Sequence, residues 1–255
     1  MRLLRSACIA LSMYTRLPVP QFPWEDEDMQ YAICFFPLAG ALTGAVLYGW
    51  LFAADRLGLP SAARCIFASL LPLLLTGGIH ADGFMDTSDA LQSFGGRERR
   101  LEILKDPHIG AFAVIRFLCL AGIYLSAVFC LKETAYLPWA CSFFFSRALS
   151  AFAAVRWEKA KPEGSLNRFA AEGAAERASA VILAEILCGG VLMVRAGFLP
   201  GAAAAAAGLM SMAYYRRMSL KEFGGITGDL AGWFICVCET AMVCAMAAAG
   251  YLTGT

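Results

Sequence analysis

The feature that most constrains this chain is a series of near-continuous apolar runs, each about 20 residues long. Such a run can cross a bilayer as an α-helix, because the hydrocarbon core is about 30 Å thick and a helix rises about 1.5 Å per residue. Of the 255 residues, 59% are hydrophobic and only 16% are charged, and the mean hydropathy is +0.62. The sequence therefore predicts an all-α integral membrane protein, with residues 1–255 forming a single polytopic domain.

The predicted architecture is a polytopic helical bundle of about seven transmembrane helices. The expected spans are 32–54, 62–79, 110–131, 134–155, 178–197, 199–215 and 230–251. The sixth span is short and rich in Ala and Gly, and Gly40, Gly44 and Gly49 recur in the first span. Since small residues let helices approach closely in lipid, we expect these positions inside the bundle.

Basic residues are concentrated in four polar segments. Residues 1–31, 80–109, 156–177 and 216–229 hold 15 of the 21 Lys and Arg residues. If all seven spans cross, these segments share one side, which is the cytoplasmic side by the positive-inside rule. We therefore expect a multi-pass protein of the bacterial inner membrane, with its N-terminus in the cytoplasm. The net charge of +1 gives no electrostatic footprint for a nucleic-acid partner.

Three aspartates, Asp82, Asp86 and Asp89, lie close together directly after the second apolar run. On a helix they occupy positions i, i+4 and i+7, so their carboxylates share one face and repel one another. Mg²⁺ prefers oxygen ligands and is typically held by one or two carboxylates together with substrate phosphates. A metal–phosphate site is therefore favoured over a solvated helix end, which is the alternative interpretation.

Two further polar stretches are predicted at the same membrane face. In KDPHIG, Asp106 followed by Pro107 is typical of a helix start with aspartate as N-cap, and a ligand role for Asp106 is the alternative. In FGGITGDLAG, glycines that include Gly225 and Gly228 precede Asp229 and the last span. Backbone N–H groups at such a helix start bind anions, but Asp229 could equally cap the helix.

Ionisable residues within or beside the spans are the remaining site candidates. Arg147 lies in an apolar run, where it meets either a phosphate in an internal cavity or a structural partner, Glu185 or Glu239. His80, two residues before Asp82, is expected either to orient a carboxylate or a phosphate or to be an interfacial polar residue.

Several segments of the chain resemble the cobalamin synthase family, whose members are adenosylcobinamide-GDP ribazoletransferases. The matching segments are MYTRLPVP, FPLAGALTGAVLYG, GGIHADGFMDTSDAL, LEILKDPHIGAFAV, SRALSAFAAVRWEKAKPEG and FGGITGDLAG, which together extend over most of the chain. The resemblance implies a membrane-bound transferase of vitamin B12 biosynthesis. It would join adenosylcobinamide-GDP to α-ribazole, or to its 5′-phosphate, and give adenosylcobalamin, or its phosphate, and GMP. Mg²⁺ would be the cofactor.

The resemblance also implies roles for single residues. Asp82, Asp86 and Asp89 match the acidic motif and would be the metal ligands, and one of them or Asp106 would act as general base. The residues implied to bind substrate are His80, Arg147, Lys161, Gly225, Gly228 and Asp229. The Pro-His pair in KDPHIG departs from the family, which puts a catalytic role for His108 in doubt.

Two other classes of membrane protein stay open. A CDP-alcohol phosphotransferase also clusters aspartates to bind a metal and a diphosphate, but its D-x2-D-G-x2-A-R signature is absent from this sequence. A transporter would have its acids near the bilayer midplane at a repeat interface, whereas these acids gather at one face and no repeat is visible. Membrane lipid is an expected partner, and a homo-oligomer is compatible with the sequence.

Overall fold

A computed structural model describes residues 2–23, 25–160, 166 and 174–253. Within these ranges the chain forms α-helices and two short 3-10 helices without a β-strand, which confirms the all-α fold class. The α-helices of the described residues are α1 (Arg2–Tyr14), α2 (Asp26–Ala32), α3 (Phe36–Arg56), α4 (Ser61–Thr76), α5 (Ile79–Gln92), α6 (Arg97–Ile103), α7 (Ala111–Phe129), α8 (Tyr136–Arg156), α9 (Ala174–Ala196), α10 (Phe198–Glu222) and α11 (Gly228–Thr253). The 3-10 helices Ile33–Phe35 and Glu133–Ala135 lead into α3 and α8.

Each of the seven predicted spans coincides with one helix, namely α3, α4, α7, α8, α9, α10 or α11. By length and composition, four helical stretches among the described residues can cross a bilayer, and the bent pair α4–α5 would be a fifth. These four correspond to α3 together with the 3-10 helix before it, and to α7, α9 and α11. Helices α8 and α10 are long enough but less apolar. In α8 the reason is burial, because most of its residues pack inside the bundle and do not need to be compatible with lipid.

Two consecutive glycines end the second predicted span earlier than expected. Helix α4 stops at Thr76, and Gly77 and Gly78 both have positive φ angles, of 64° and 83°, which glycine adopts without strain. Helix α5 then leaves at 89° to α4. Its 14 residues span about 21 Å, too short for a bilayer core of about 30 Å. We therefore treat α5 as a helix across the end of the bundle, outside the spanning segments.

Helix α8 is central and makes its largest contact with α3. A Cβ atom at Gly40 would overlap the backbone oxygen of Phe143, and one at Gly44 would overlap that of Ala140. These two glycines therefore permit a close helix crossing, as the sequence predicted. The prediction for Gly49 was wrong: it is exposed, and a Cβ atom there would meet nothing within 4 Å.

The described parts of the four polar segments meet at one end of the bundle. Next to the α4–α5 bend, the backbone N–H of Arg16 donates to the carbonyl oxygen of Leu75, 2.7 Å away. The Arg97 side chain donates to the carbonyl oxygen of Leu220 at 3.3 Å, and the loops that follow α8 and α10 are joined by a β-bridge. The helices are thus arranged as the distribution of charge predicted.

Gly44→Ala should destabilise the bundle, because the new methyl group would force α3 away from the backbone of α8. Overpacking of this kind costs about 1–3 kcal/mol. Gly49→Ala in the same helix is the matched control, since its methyl group would enter open space. Thermal unfolding of the detergent-purified variants measures the difference. Equal melting temperatures would contradict the close contact between α3 and α8.

Candidate active site

Helix α5 carries the three aspartates of the acidic motif on one face. Asp82, Asp86 and Asp89 occupy positions i, i+4 and i+7 of this helix, as predicted. Asp82 is exposed, whereas Asp86 and Asp89 are half-buried. The opposite side of the helix is buried and holds it in place, because Phe84 packs there with its ring centroid 6.3 Å from that of Phe117 on α7. The carboxylates thus lie on a fixed helix with partial access to solvent.

The first turn of α11 brings a fourth carboxylate to α5. A Cβ atom at Gly83 would lie 2.7 Å from the carbonyl oxygen of Asp229, so the backbones of the two helices are in contact there. Further along α11, a Cβ atom at Gly232 would lie 3.2 Å from the carbonyl oxygen of His80. Asp82 and Asp229 line one cavity of about 190 Å³. The fold thus joins Asp229 to an acidic motif that is distant from it in the sequence.

The four carboxylates influence one another. Partial burial, together with the charges of Asp82, Asp229 and Asp89, raises the pKa of Asp86 to about 6. Such a cluster favours a bound cation, and its donors are all carboxylate oxygens, which suit a hard ion such as Mg²⁺. Among the described residues, no three His, Cys, Asp or Glu side chains are arranged to hold a metal by themselves. The donor set therefore fits Mg²⁺ only if substrate oxygens complete the coordination.

The loop after α6 differs from the prediction. Helix α7 begins only at Ala111, with Gly110 as its cap, so the interpretation of Asp106 as an N-cap is wrong. Asp106 instead accepts hydrogen bonds from the backbone N–H of His108 at 2.9 Å and from its Nδ1 at 2.8 Å, and these bonds hold the pKa of Asp106 below its ordinary value. This local turn replaces the expected first helical turn. A Cβ atom at Gly110 would overlap the carboxylate of Asp89, so the loop touches the acidic motif.

The glycine-rich segment before α11 is shaped by its neighbours. Gly225 has a φ of 156°, and a Cβ atom there would lie 2.6 Å from the backbone nitrogen of Ala160. Thr227 caps α11, because its hydroxyl oxygen accepts a hydrogen bond from the backbone N–H of Leu230 at 3.2 Å. The alternative in which Asp229 caps the helix is therefore wrong. Asp229 lies in the first turn of α11, where the helix dipole favours a carboxylate.

Arg147 and His80 are both buried. Arg147 is 1% exposed, and its Nη1 donates to Glu239 at 2.5 Å. Of the two partners that the sequence allowed, Glu239 is therefore the one that pairs with Arg147, and Glu185 is not. His80 is 8% exposed and packs near the rings of Tyr14 and Phe36. Three of their nitrogen atoms have no hydrogen-bond partner among the described residues: Nε and Nη2 of Arg147 and Nε2 of His80.

A wide cleft of about 990 Å³ opens beside the α4–α5 bend, and Asp82 lies on its wall. Arg16 is the only basic side chain among the described residues that line it.

Sequence reasoning singled out neither Arg16 nor Gly83. The sequence did contain a signal for Gly83, because a glycine inside a helix often marks a place where another backbone approaches closely. Lys161, a predicted phosphate contact, lies outside the described residues.

These features define a class: an all-α polytopic membrane protein with a cluster of carboxylates at one end of its bundle. Comparison with known families then narrows the class to one. The profile of the family described as cobalamin-5-phosphate synthase matches residues 6–247. The chain belongs to this family, and it is therefore a transferase of cobalamin biosynthesis.

Curated relatives match along nearly the whole chain. An adenosylcobinamide-GDP ribazoletransferase of Lachnoclostridium phytofermentans is 40% identical over 94% of this chain and 92% of the relative. A protein of the same name from Geobacillus kaustophilus is 34% identical over 89% of this chain and 89% of the relative. Another from Clostridium perfringens is 31% identical over 91% of this chain and 92% of the relative. No solved structure matches the chain. Family membership decides against the CDP-alcohol phosphotransferase and the transporter.

In the metal-free protein, Asp86→Asn should raise the melting temperature at pH 7, because it removes a half-buried charge that three carboxylates repel. The folded state binds the Asp86 proton more tightly than the unfolded chain does. The stability that this proton confers is complete below about pH 4 and is lost as the pH rises to about 6. The expected gain for the variant is about 1 kcal/mol at pH 7, allowing for solvent screening, and it vanishes near pH 4.

Asp106→Asn is the control for this measurement. Hydrogen bonds from His108 lower the pKa of Asp106, so its ionised form is favoured and the same substitution should bring no such gain. Melting followed by circular dichroism at several pH values compares both variants with the parent protein. Identical melting temperatures for the parent and Asp86→Asn at pH 7 would contradict the raised pKa of Asp86.

Proposed function

We propose that this protein joins adenosylcobinamide-GDP to α-ribazole, or to its 5′-phosphate, forming adenosylcobalamin, or its 5′-phosphate, and releasing GMP. The relatives' names state ribazole transfer for those proteins, and the family description refers to a 5-phosphate product. Within this chain, the observation that carries the proposal is the convergence of four carboxylates, Asp82, Asp86, Asp89 and Asp229. A metal bound to such a cluster would grip the pyrophosphate bridge of the donor.

The proposed reaction is a substitution at phosphorus. A hydroxyl of ribazole attacks the phosphorus atom attached to cobinamide, and a new P–O bond forms. The P–O bond to GMP breaks, and GMP leaves with the bonding electron pair. The hydroxyl proton passes to a carboxylate of the protein, for which Asp82, Asp86, Asp89 and Asp106 are the candidates. Asp106 differs from the others because it accepts two hydrogen bonds from His108.

Asp82, Asp86 and Asp89 would hold Mg²⁺, with Asp229 beside them. When bound, Mg²⁺ would neutralise negative charge on the pyrophosphate and on the leaving GMP. The protein's own contribution is positional, because the contact between Gly83 and Asp229 holds the four carboxylates together before substrate arrives.

The phosphates of the donor would lie between the first turn of α11 and the wide cleft. Gly228 begins α11 and is exposed, and backbone N–H groups at a helix start favour anions. Gly225 would shape the turn before it. Arg16 would contribute positive charge from the cleft wall. His80 lines the cavity that Asp82 and Asp229 also line, and it would orient a carboxylate or a phosphate there. Lys161 stays a proposed phosphate contact.

We assign this end of the bundle to the cytoplasmic face of the bacterial inner membrane, because the basic segments gather there. Exposed apolar side chains on the outer helices, such as Leu118 and Leu187, support contact with lipid over the middle of the protein.

Asp86→Asn should lower the rate of Mg²⁺-dependent GMP release by about 100-fold or more, because a ligand at the centre of the cluster loses its charge. The variant should stay folded and membrane-inserted. Asp55→Asn is the matched control, since Asp55 lies at the C-terminal end of α3, where it pairs with Arg64 at 3.5 Å, and is not part of the acidic cluster. The assay measures GMP after purified protein is mixed with adenosylcobinamide-GDP, Mg²⁺, and α-ribazole or its phosphate. Near-normal turnover of Asp86→Asn would remove Asp86 from the site.

Asp229→Ala should raise the KM for adenosylcobinamide-GDP about tenfold, because it weakens the hold on the metal-bound pyrophosphate. Helix α11 should stay intact, since Thr227 is its cap. Thr227→Ala gives the complementary control: it should lower stability by about 1 kcal/mol and leave that KM almost unchanged. If Asp229→Ala has the KM of the parent protein, the carboxylate serves only the helix dipole.

A further inference from the structure

A cavity of about 240 Å³ lies between α4, α5, α7, α8 and α11. Its walls are mainly apolar, and they include Leu70 on α4 and Phe117 and Leu120 on α7. Leu70 is also exposed on the outside of the bundle, so the cavity reaches the surface between α4 and α7. Its volume is below the roughly 300–1,000 Å³ usual for a complete ligand site, which suits one part of a larger substrate.

The polar end of this cavity is formed by Arg147, Glu239 and His80. The Nη1 atom of Arg147 already has three hydrogen-bond acceptors: Glu239, the carbonyl oxygen of Phe143 at 3.0 Å and the hydroxyl of Ser146 at 3.2 Å. Its Nε and Nη2 have no partner among the described residues, and neither has Nε2 of His80. A buried donor without a partner costs about 1–3 kcal/mol, so these groups are suited to a ligand with hydrogen-bond acceptors.

The charge at this end favours a neutral ligand over a phosphate. Glu239 already balances the charge of Arg147, and an added anion would lie close to the Glu239 carboxylate in apolar surroundings. The side chains of Phe117 and Tyr124 add aromatic surface to the wall. A planar heteroaromatic ring with a nitrogen acceptor matches the apolar walls and the unpaired N–H groups together.

The cavity adjoins the cleft beside the acidic motif. Leu73, Thr76, Ala81 and Phe117 line both, and Asp82, the residue after Ala81, lines the cleft. A molecule with its ring in the cavity could therefore extend a polar group past the α4–α5 bend toward the carboxylates.

We propose that this cavity binds the neutral nitrogen heterocycle of the acceptor nucleoside, with the free N–H groups of Arg147 as its hydrogen-bond donors. The inference rests on the proposed function, because it assigns the acceptor of that reaction to a place in the fold. Arg147 then contacts the acceptor base instead of a phosphate of the donor. The sugar hydroxyl of the acceptor points toward Asp82 and its neighbours.

Arg147→Lys tests the hydrogen bonds. Lysine keeps the positive charge beside Glu239 but lacks the Nε and Nη2 groups. The KM for α-ribazole should rise about tenfold, and the KM for adenosylcobinamide-GDP should change by less than about twofold. Fluorescence titration of α-ribazole onto the purified protein, without donor substrate, should show the same loss of affinity.

Ala121→Trp tests the cavity independently of the ion pair. Ala121 lies on the cavity wall, and an indole there would occupy the space for the ring. Leu118→Trp on the same helix is the matched control, because Leu118 is exposed and does not line the cavity. The first variant should raise the KM for α-ribazole at least about tenfold, and the second should leave it unchanged.

The outcomes separate this inference from the proposed function. If the parent protein releases no GMP from adenosylcobinamide-GDP and α-ribazole, the proposed function fails and this inference fails with it. If the parent is active but both cavity variants keep its affinity for α-ribazole, the inference is overturned and the function stands. A rise in the KM of the donor alone would also overturn it. If Arg147→Lys does not fold, Ala121→Trp and its control decide.

Discussion

The contact between α5 and α11 is the feature on which the proposed site depends. One helix supplies three carboxylates, and the fourth joins them only because Gly83 lets the backbone at Asp229 approach closely. Partial burial and the repulsion of these like charges together raise the pKa of Asp86. The repulsion is tolerated because apolar residues of α5 and α11, such as Phe84 and Leu230, are packed into the core, and their burial outweighs a local electrostatic cost.

Charged groups inside the bundle also carry an unfavourable electrostatic cost. A single charge inside a membrane protein is unfavourable, and Arg147 with Glu239 reduces that cost by pairing. The pair is incomplete, since two nitrogens of the guanidinium have no partner within the described chain. Both exceptions lie at neighbouring cavities, because Arg147 and Glu239 line one cavity and Asp82 lines the cleft next to it. Groups whose interactions are unfinished without a ligand are typical of functional sites.

The helices could be predicted because apolar runs of this length have few other structures open to them, and each of the seven expected spans is a helix. Their ends were harder to predict. The span expected to reach residue 79 stops at Thr76, where two glycines turn the chain. Asp106 bonds to His108 in a local turn and so does not cap α7, and Thr227 caps α11. At such positions two local hydrogen-bonding patterns compete, and their surroundings decide between them.

The sequence by itself determined the membrane environment, the helices, and the shared face of Asp82, Asp86 and Asp89, because these depend on hydrophobicity and helical period within one segment. Only the tertiary structure decided that Asp229 joins them, that Arg147 pairs with Glu239, and that the cavity beside Arg147 adjoins the cleft at the acidic motif. These facts depend on which backbones can touch. That is set by packing between helices that are distant in the sequence, and no local pattern records it.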